Sequence, residues 1–327
     1  MDTLDLLRSN LLSPMVLAFV LGLVAVAVRS DLKFPSELYT GLSIFLLLAI
    51  GLKGGHELAK APLKAVFWPA LATQVAGVLI PLVAYALLRR PGGFGVSDAA
   101  ALAAHYGSVS AVTFAATLTF LDTKGVPYEG FLPALVAMLE VPAIVVALLL
   151  AQWNERPDPA APPRPWGRVL HEVFAGRSVV LLLGGLAIGF VSTEKNFERV
   201  APAFVNLFYG ALVLFLLDMG MVAAKRLREV GQAGAFLIAF ALLMPVINGM
   251  FGVLLGHWAG LSTGGTTVFG VLCASASYIA APAAVRVALP NANPAYYLTA
   301  SIGLTFPFNL TVGIPLIYSI ARWVTGG

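Results

Sequence analysis

The sequence predicts an all-α integral membrane protein of about ten transmembrane helices, built as two inverted five-helix repeats in which helices 4 and 9 are broken. Three observations predict this class: long apolar stretches separated by short charged runs, an internal repeat, and small polar residues in the middle of two apolar segments. Apolar residues make up 59% of the 327 residues and charged residues 11%, with a mean hydropathy of +0.89. A soluble domain carries about a quarter charged residues.

Ten apolar segments have a length of about 16 to 26 residues or slightly more, which is sufficient to cross a bilayer. They are 13–29, 37–52, 64–89, 97–121, 127–151, 178–193, 201–221, 232–258, 264–289 and 295–323. The first segment follows Asp2, Asp5 and Arg8. Because this is a poor match for the basic start of a signal peptide, the segment is predicted to be a membrane span.

A proline-rich segment separates the fifth span from the sixth. Residues 152–167 contain five prolines, which predicts a non-helical, polyproline-like linker. Residues 171–177 are predicted to form a short turn at the membrane surface. The expected organisation is therefore a first repeat at 1–151, a linker at 152–177 and a second, inverted repeat at 178–327.

The distribution of basic residues predicts the orientation of the chain. Ten spans place both termini on one side, and eight of the 20 Lys and Arg residues lie on that side while twelve lie on the linker side. The positive-inside rule then predicts a cytoplasmic linker and external termini in the inner (plasma) membrane of the cell. The net charge of +4 reflects this asymmetry and does not indicate nucleic-acid binding. The lone Cys273 excludes an intrachain disulfide.

The chain aligns with itself at an offset near 167 residues. Residues 46–52 return as 215–221, the segment 108–110 (Ser-Val-Ser) returns as 275–277 (Ser-Ala-Ser), and Pro127 and Pro294 each follow the second serine by seventeen residues. Because each repeat has five spans, the second copy must be inserted upside down, which is typical of alternating-access transporters. The alternative is accidental recurrence of the small-residue patterns that help membrane helices pack.

The two serine pairs lie near the midpoints of 97–121 and 264–289 and predict a break in each helix. A break exposes amides at the positive end of the second half-helix, where serine is a favoured cap and where an anion binds well. Carbonyl groups freed on the other side can hold a cation. Two breaks meeting at mid-membrane therefore predict a pocket for a small anion with a cation beside it. The alternative is that the hydroxyls bond back to carbonyls one turn earlier and only permit close packing.

Other polar residues inside the spans are candidates for the same pocket. Thr113 continues the first half-helix, and Glu140 lies near the middle of the fifth span, where it could hold sodium, carry a proton or form a structural pair. Asn309 lies two places beyond the repeat partner of Glu140. Asp218 is predicted to be interfacial, and His105 is predicted to be a packed donor. No phosphate loop or nucleophile elbow is present, so an enzyme is not expected.

Six short motifs, in this order, resemble those of the sodium-dependent bicarbonate transporter family over nearly the whole chain. The motifs are Leu52-Lys53-Gly54-Gly55, Gly107-Ser108-Val109-Ser110, Val126-Pro127-Tyr128-Glu129, Glu140-Val141-Pro142, Ser275-Ala276-Ser277 and Leu289-Pro290-Asn291-Ala292-Asn293-Pro294. The resemblance implies a trimeric sodium–bicarbonate symporter. It also implies a core of spans 3–5 and 8–10 that moves against a gate of spans 1, 2, 6 and 7.

The resemblance also implies where the substrates bind, with sodium as the coupling ion and no other cofactor. Together with Thr113, the residues expected at the anion are Ser108, Val109, Ser110, Ser275, Ala276, Ser277 and Tyr278. The residues expected at sodium are Ser110, Ser275, Ser277, Glu140 and Asn309.

The chain departs from the family pattern at two places. Tyr278 stands where the family motif has an aspartate after the second serine cluster, which argues against an identical sodium site and for a reshaped anion pocket. The short proline-rich linker argues against dependence on the family's PII-like regulatory partner. Two alternatives stay open: a transporter of the same fold for another small carboxylate, driven by protons through Glu140, and an anion channel or a membrane sensor that transports nothing.

Overall fold

A computed structural model of the chain describes residues 3–154 and 166–326, and every regular element in these two ranges is a helix. The helices are α1 Thr3–Leu11, α2 Pro14–Ala27, α3 Ser36–Lys60, α4 Leu63–Arg89, α5 Val96–Gly107, α6 Ala111–Thr123, α7 Leu132–Asn154, α8 Trp166–Phe174, α9 Arg177–Val191, α10 Glu194–Ala201, α11 Phe208–Leu227, α12 Val230–Trp258, α13 Thr263–Ala274, α14 Ala280–Ala288, α15 Pro294–Leu298, α16 Phe306–Phe308 and α17 Ile314–Thr325. Three π-helical stretches, Pro202–Asn206, Thr299–Thr305 and Asn309–Gly313, connect helices near them in the chain.

The lengths and composition of these helices show a multi-pass membrane protein. Within the described residues, seven helical stretches are long and apolar enough to cross a bilayer. The count rises to nine if two bent pairs, α1 with α2 at 62° and α8 with α9 at 53°, are each one span. The predicted ninth span is outside this count because it is divided into α13 and α14. The figure of ten spans therefore stays a prediction.

The structure corrects the predicted limits of the linker. Residues 152–154 belong to α7, and α8 begins at Trp166 and continues to Phe174. The prediction of a non-helical segment is therefore wrong at 152–154 and 166–167, and the prediction of a turn is wrong at 171–174. The buried residues Val169 and Val173 show why this segment is helical. They lie four residues apart, on one face of α8, and α8 packs against α14. Residues 155–165, with all five prolines of the predicted linker, lie outside the described residues.

Four helices, α2, α3, α9 and α11, form the first helix group. α2 packs along α11 and α3 packs along α9, while α3 also contacts α11. Both pairs approach closely at glycines. A Cβ atom on Gly220 would lie 2.1 Å from the carbonyl oxygen of Phe19, and one on Gly51 would lie 2.7 Å from that of Leu182. Small residues of this kind allow membrane helices to come into backbone contact.

The second helix group consists of two bundles. α4, α5 and α7 pack together, as do α12, α13 and the final helix α15–α17. Two hydrogen bonds join the bundles at their ends. The carboxylate of Asp98, at the start of α5, accepts from the amide of Asn293 at 2.7 Å, and that of Glu129, before α7, accepts from the amide of Ser262 at 2.6 Å. We call these two bonds the end latches.

Candidate functional site

The first break separates α5 from α6. α5 ends at Gly107, Ser108 and Ser110 have extended backbone angles, and α6 starts at Ala111. Ser110 is the N-cap, since its hydroxyl accepts from the amide of Thr113 at 3.1 Å. Gly107 fits a tight space, because a Cβ atom there would lie 2.9 Å from both Ala143 and Pro81. The predicted interruption of this helix and its serine cap are confirmed.

The second break separates α13 from α14 and is longer. α13 ends at Ala274 and α14 begins at Ala280, which leaves residues 275–279 non-helical. The hydroxyl of Ser277 accepts from the amide of Ala281 at 3.2 Å, so the second serine of this pair also bonds to the start of its half-helix. The predicted interruption is confirmed here too, although the two breaks differ in length.

The two breaks touch each other inside the protein. The amide of Ser110 donates to the hydroxyl of Ser275 at 3.0 Å, and the amide of Ser277 donates to the carbonyl of His105 at 2.8 Å. The hydroxyl of Ser110 also donates to that of Tyr278 at 3.2 Å. All five residues are buried. Each break therefore supplies partners for polar groups that the other leaves without helical hydrogen bonds.

A small cavity opens at this contact and is called the central cavity below. Its lining residues are Leu47, Val109, Ser110, Ala111, Glu140, Ser178, Tyr278 and Ile279. The Oε2 atom of Glu140 is buried and has no hydrogen-bond partner among the described residues. Hydroxyl donors and the positive end of α6 thus share one small cavity with a carboxylate.

Three of the residues expected at the anion lie at the central cavity, namely Val109, Ser110 and Tyr278. Thr113 lies behind Ser110, to whose hydroxyl its own donates at 2.9 Å. Ser108 does not line the cavity, and its hydroxyl donates to the backbone carbonyl of Glu140 at 3.3 Å.

Ala276 is buried in an apolar cluster beside α5, outside the cavity lining. Ser275 and Ser277 border the break contact but do not line the cavity either. The structure therefore gathers only part of the expected anion set in one place.

The five residues expected at sodium do not surround one cavity. Ser110 and Glu140 line the central cavity, and Ser275 reaches Ser110 by its hydroxyl. Asn309 lies at the second break, where its side-chain amide donates to the carbonyl of Ala274 at 2.8 Å. That hydrogen bond satisfies one carbonyl that the break had freed.

One polar residue of the site was not found from sequence. Ser178, in the first turn of α9, is 4% exposed and lines the central cavity. A serine at the start of an apolar run gives no signal of this. Asp218, predicted to be interfacial, is 8% exposed and lies in the middle of α11, away from the central cavity. His105 is a packed residue as predicted, with Nδ1 2.7 Å from the carbonyl oxygen of Ala101.

Comparison with known proteins identifies the family of the chain. No curated protein matches it significantly. The family model described as the Na+-dependent bicarbonate transporter superfamily matches residues 14–322. This family consists of transporters, so the protein is not an enzyme. Since the match spans nearly the whole sequence, and the motifs that it covers form the two breaks and the central cavity, the chain belongs to the Na+-dependent bicarbonate transporter superfamily.

Proposed function

We propose that the protein is a sodium-coupled symporter of bicarbonate or a similar small monoanion, and that it works by alternating access. The observation that carries the proposal is the central cavity, where the N-terminus of α6, the hydroxyls of Ser110 and Tyr278 and the unpartnered Glu140 carboxylate meet.

The start of α6 suits an anion for two reasons. The amides of Ala111 and Val112 lie in the first turn, where an α-helix provides no acceptor for them, and the helix dipole makes that end partly positive. The hydroxyl of Tyr278 can donate to the same ligand, and that of Ser110 can do so once it turns away from Tyr278. A monoanion such as bicarbonate offers several oxygen acceptors to these groups, which is the chemistry that the cavity favours.

Glu140 provides the physical reason for coupling. An ionised carboxylate and an anion in one buried cavity repel each other strongly, because the surrounding medium screens charge poorly. A cation bound with the anion removes that penalty, so the two ions bind together or not at all. We propose sodium there, with Glu140 and Ser275 as ligands, and with Ser277 and the side-chain oxygen of Asn309 as further ligands from the second break. Ser110 would join only after its hydroxyl releases one of its present hydrogen bonds to Thr113.

Two structural relations support the inverted repeat. The self-alignment pairs Gly51 with Gly220, and each of them faces a glycine of its partner helix, Gly185 and Gly22 respectively. The end latches are related in the same way. Each one joins the start of a broken helix to the region that opens the last span of the other repeat.

These relations fit a mechanism in which the second helix group, as core, moves against the first group, as gate. The central cavity lies between them, because α3 and α9 contribute Leu47 and Ser178 while α6 and α7 contribute Ala111 and Glu140. We propose a cytoplasmic linker, external termini and a trimer in the plasma membrane. Native mass spectrometry would show the trimer at three times the 34.3 kDa of one chain.

Uptake of labelled bicarbonate into proteoliposomes tests the proposed function. Uptake should require an inward sodium gradient, and it should fall to the level of protein-free liposomes when potassium replaces sodium on both sides. Equal uptake in the two salts would exclude sodium coupling. Absence of bicarbonate uptake under any gradient would exclude the substrate.

The unpartnered Glu140 supports a second candidate, a proton-driven carrier of another small carboxylate. A protonated Glu140 would remove the repulsion as sodium does. Melting temperatures measured with a panel of small anions, each with and without sodium, separate the two candidates, since a ligand of the native state raises the melting temperature. A shift that needs sodium favours the first candidate. A shift that is independent of sodium but larger at acidic pH favours the second, and ion currents through planar bilayers would instead indicate a channel.

A further inference from the structure

A second cavity adjoins the central cavity on the side of the first helix group. It is also small and shares the lining residues Leu47, Ala111 and Ile279 with the central cavity. Ser43 of α3 is the only hydroxyl-bearing residue in its lining. The two cavities therefore lie on either side of the first residue of α6 and bring Ser43 close to the proposed anion site.

The hydroxyl of Ser43 is unusual among the buried helical hydroxyls of this protein. Its residue is 2% exposed, and the oxygen has no hydrogen-bond partner among the described residues. By contrast, the hydroxyls of Thr73, Thr117 and Ser301 donate to the carbonyl four residues earlier at 2.6–2.7 Å. An unsatisfied buried hydroxyl is unfavourable, so its retention next to a cavity points to a ligand as its partner.

Ser178 provides a second hydroxyl from the same helix group. It is 4% exposed, lies in the first turn of α9 and lines the central cavity opposite the residues of the first break. Glu140, which is 4% exposed with an unpartnered Oε2, lines the same cavity. Ser178 of α9 thus lines the central cavity together with the polar residues Ser110, Glu140 and Tyr278, and Ser43 of α3 lines the adjoining cavity.

We propose that Ser43 and Ser178 bind the transported anion from the gate side, so that a small planar oxyanion at the start of α6 is held by both helix groups at once. The inference rests on the proposed function and extends it. A planar oxyanion can accept hydrogen bonds on opposite edges, from the α6 amides and Ser110 on one side and from Ser43 or Ser178 on the other. The contact links anion loading to closure of the two groups, because the gate hydroxyls gain their partner only when the anion is present.

Two alanine variants test the proposal by transport kinetics. Ser43→Ala and Ser178→Ala should each raise the KM for bicarbonate by about three- to tenfold, the effect of losing one hydrogen bond to an anion. Their melting temperatures without substrate should not fall, because neither hydroxyl supports the protein in a bond that the variant would break. Ser301→Ala is the matched control, since Ser301 is a buried serine of the second helix group that bonds to the Tyr297 carbonyl, and its KM should stay at the wild-type value. An unchanged KM in both test variants overturns the proposal.

Cysteine protection tests the same contact without relying on transport. Ser43→Cys and Ser178→Cys are treated with a small, membrane-permeant methanethiosulfonate, and the wild-type chain, whose single cysteine is Cys273, gives the background level of modification. Bicarbonate with sodium should slow modification of both cysteines. If the wild-type chain takes up no bicarbonate, the proposed function fails, and protection is then measured with formate and nitrate. Protection by any of the three anions supports the gate-side contact, whereas modification that none of them slows overturns it.

Discussion

Ser110 connects three residues of the site, Thr113 and Tyr278 through its hydroxyl and Ser275 through its amide. It accepts from the amide and the hydroxyl of Thr113 and donates to Tyr278, while its own amide bonds to Ser275. The capping role was predictable because it depends on residues only three apart. The bonds to Ser275 and Tyr278 were not, because they depend on how two distant helices cross. For the same reason, nothing in the sequence around Ser43 or Ser178 indicated that either serine faces a cavity.

At the residue scale we expect Ser110→Ala to impair transport more than folding. The loss of an N-cap costs about 1 kcal/mol, which lowers the melting temperature by a few degrees. Bicarbonate uptake at low substrate concentration should fall at least about tenfold, because a donor to the anion is lost together with the cap that orders the start of α6.

Ser13→Ala is the control for this prediction. Ser13 caps α2 in the same way, accepting from the amide of Val16 at 3.3 Å, but lies away from the central cavity. Its removal should lower the melting temperature by a similar amount and leave uptake nearly unchanged. Wild-type uptake by Ser110→Ala would show that Ser110 has only a structural role.

The ends of individual helices were predictable where residues next to the end cause the helix to stop. The two interruptions were predictable, since a serine pair in the middle of an apolar segment offers a cap where a helix has no other reason to stop. Their unequal lengths, and the π-helical stretches 299–305 and 309–313, were not predictable. Both features depend on how the final helix packs, for example on the bond from Asn309 to Ala274.

At the element scale, backbone contact between α3 and α9 should depend on glycine. A Cβ atom on Gly189 would lie 2.1 Å from the carbonyl oxygen of Leu52, so Gly189→Ala must separate the two helices. We expect a loss of about 1–3 kcal/mol, the usual effect of overpacking, seen as a lower melting temperature in detergent.

Gly184→Ala is the matched control for Gly189→Ala. It makes the same change in the same helix, but nothing lies within 4 Å of the added Cβ atom. Because alanine is the better helix former, this variant should be as stable as the wild type or slightly more so. Equal melting temperatures for the two variants would show that α3 and α9 do not require this close approach.

The two-group arrangement of the whole molecule was only partly predictable. The self-alignment predicted which segments correspond, and the glycine pairs and end latches agree with it. The grouping of helices into core and gate came from the resemblance alone, because apolar periodicity does not show which membrane helices pack together. The number of spans stays a prediction because α13 and α14 are each too short to cross a bilayer, although the other broken helix, α5 with α6, counts as one span.

A cross-link between the helix groups tests whether they move relative to each other. Leu47 of the first group and Ile279 of the second break line the same two cavities, so their cysteine replacements can be joined by a short bifunctional thiol reagent. Cross-linking should abolish bicarbonate uptake, because the two helix groups could no longer separate. Chemical cleavage of the cross-linking reagent should restore uptake.

The control cross-link stays within the second helix group. The hydroxyls of Thr263 and Thr325 lie 2.8 Å apart, so a cysteine pair at these positions joins two parts of the proposed core. Uptake should continue after this cross-link forms. Full uptake with the link between residues 47 and 279 in place would be incompatible with alternating access by motion of the two groups.

The end latches can form only late in biosynthesis, because each one joins two residues that are far apart in the chain. Asp98 bonds to an amide 195 residues later in the chain, and Glu129 to one 133 residues later. While the ribosome is still making the second repeat, the first therefore lies in the bilayer with both carboxylates waiting for partners that have not been synthesised. Tyr278 is added in the same late stage, so the central cavity has its full lining only once the second break has been synthesised.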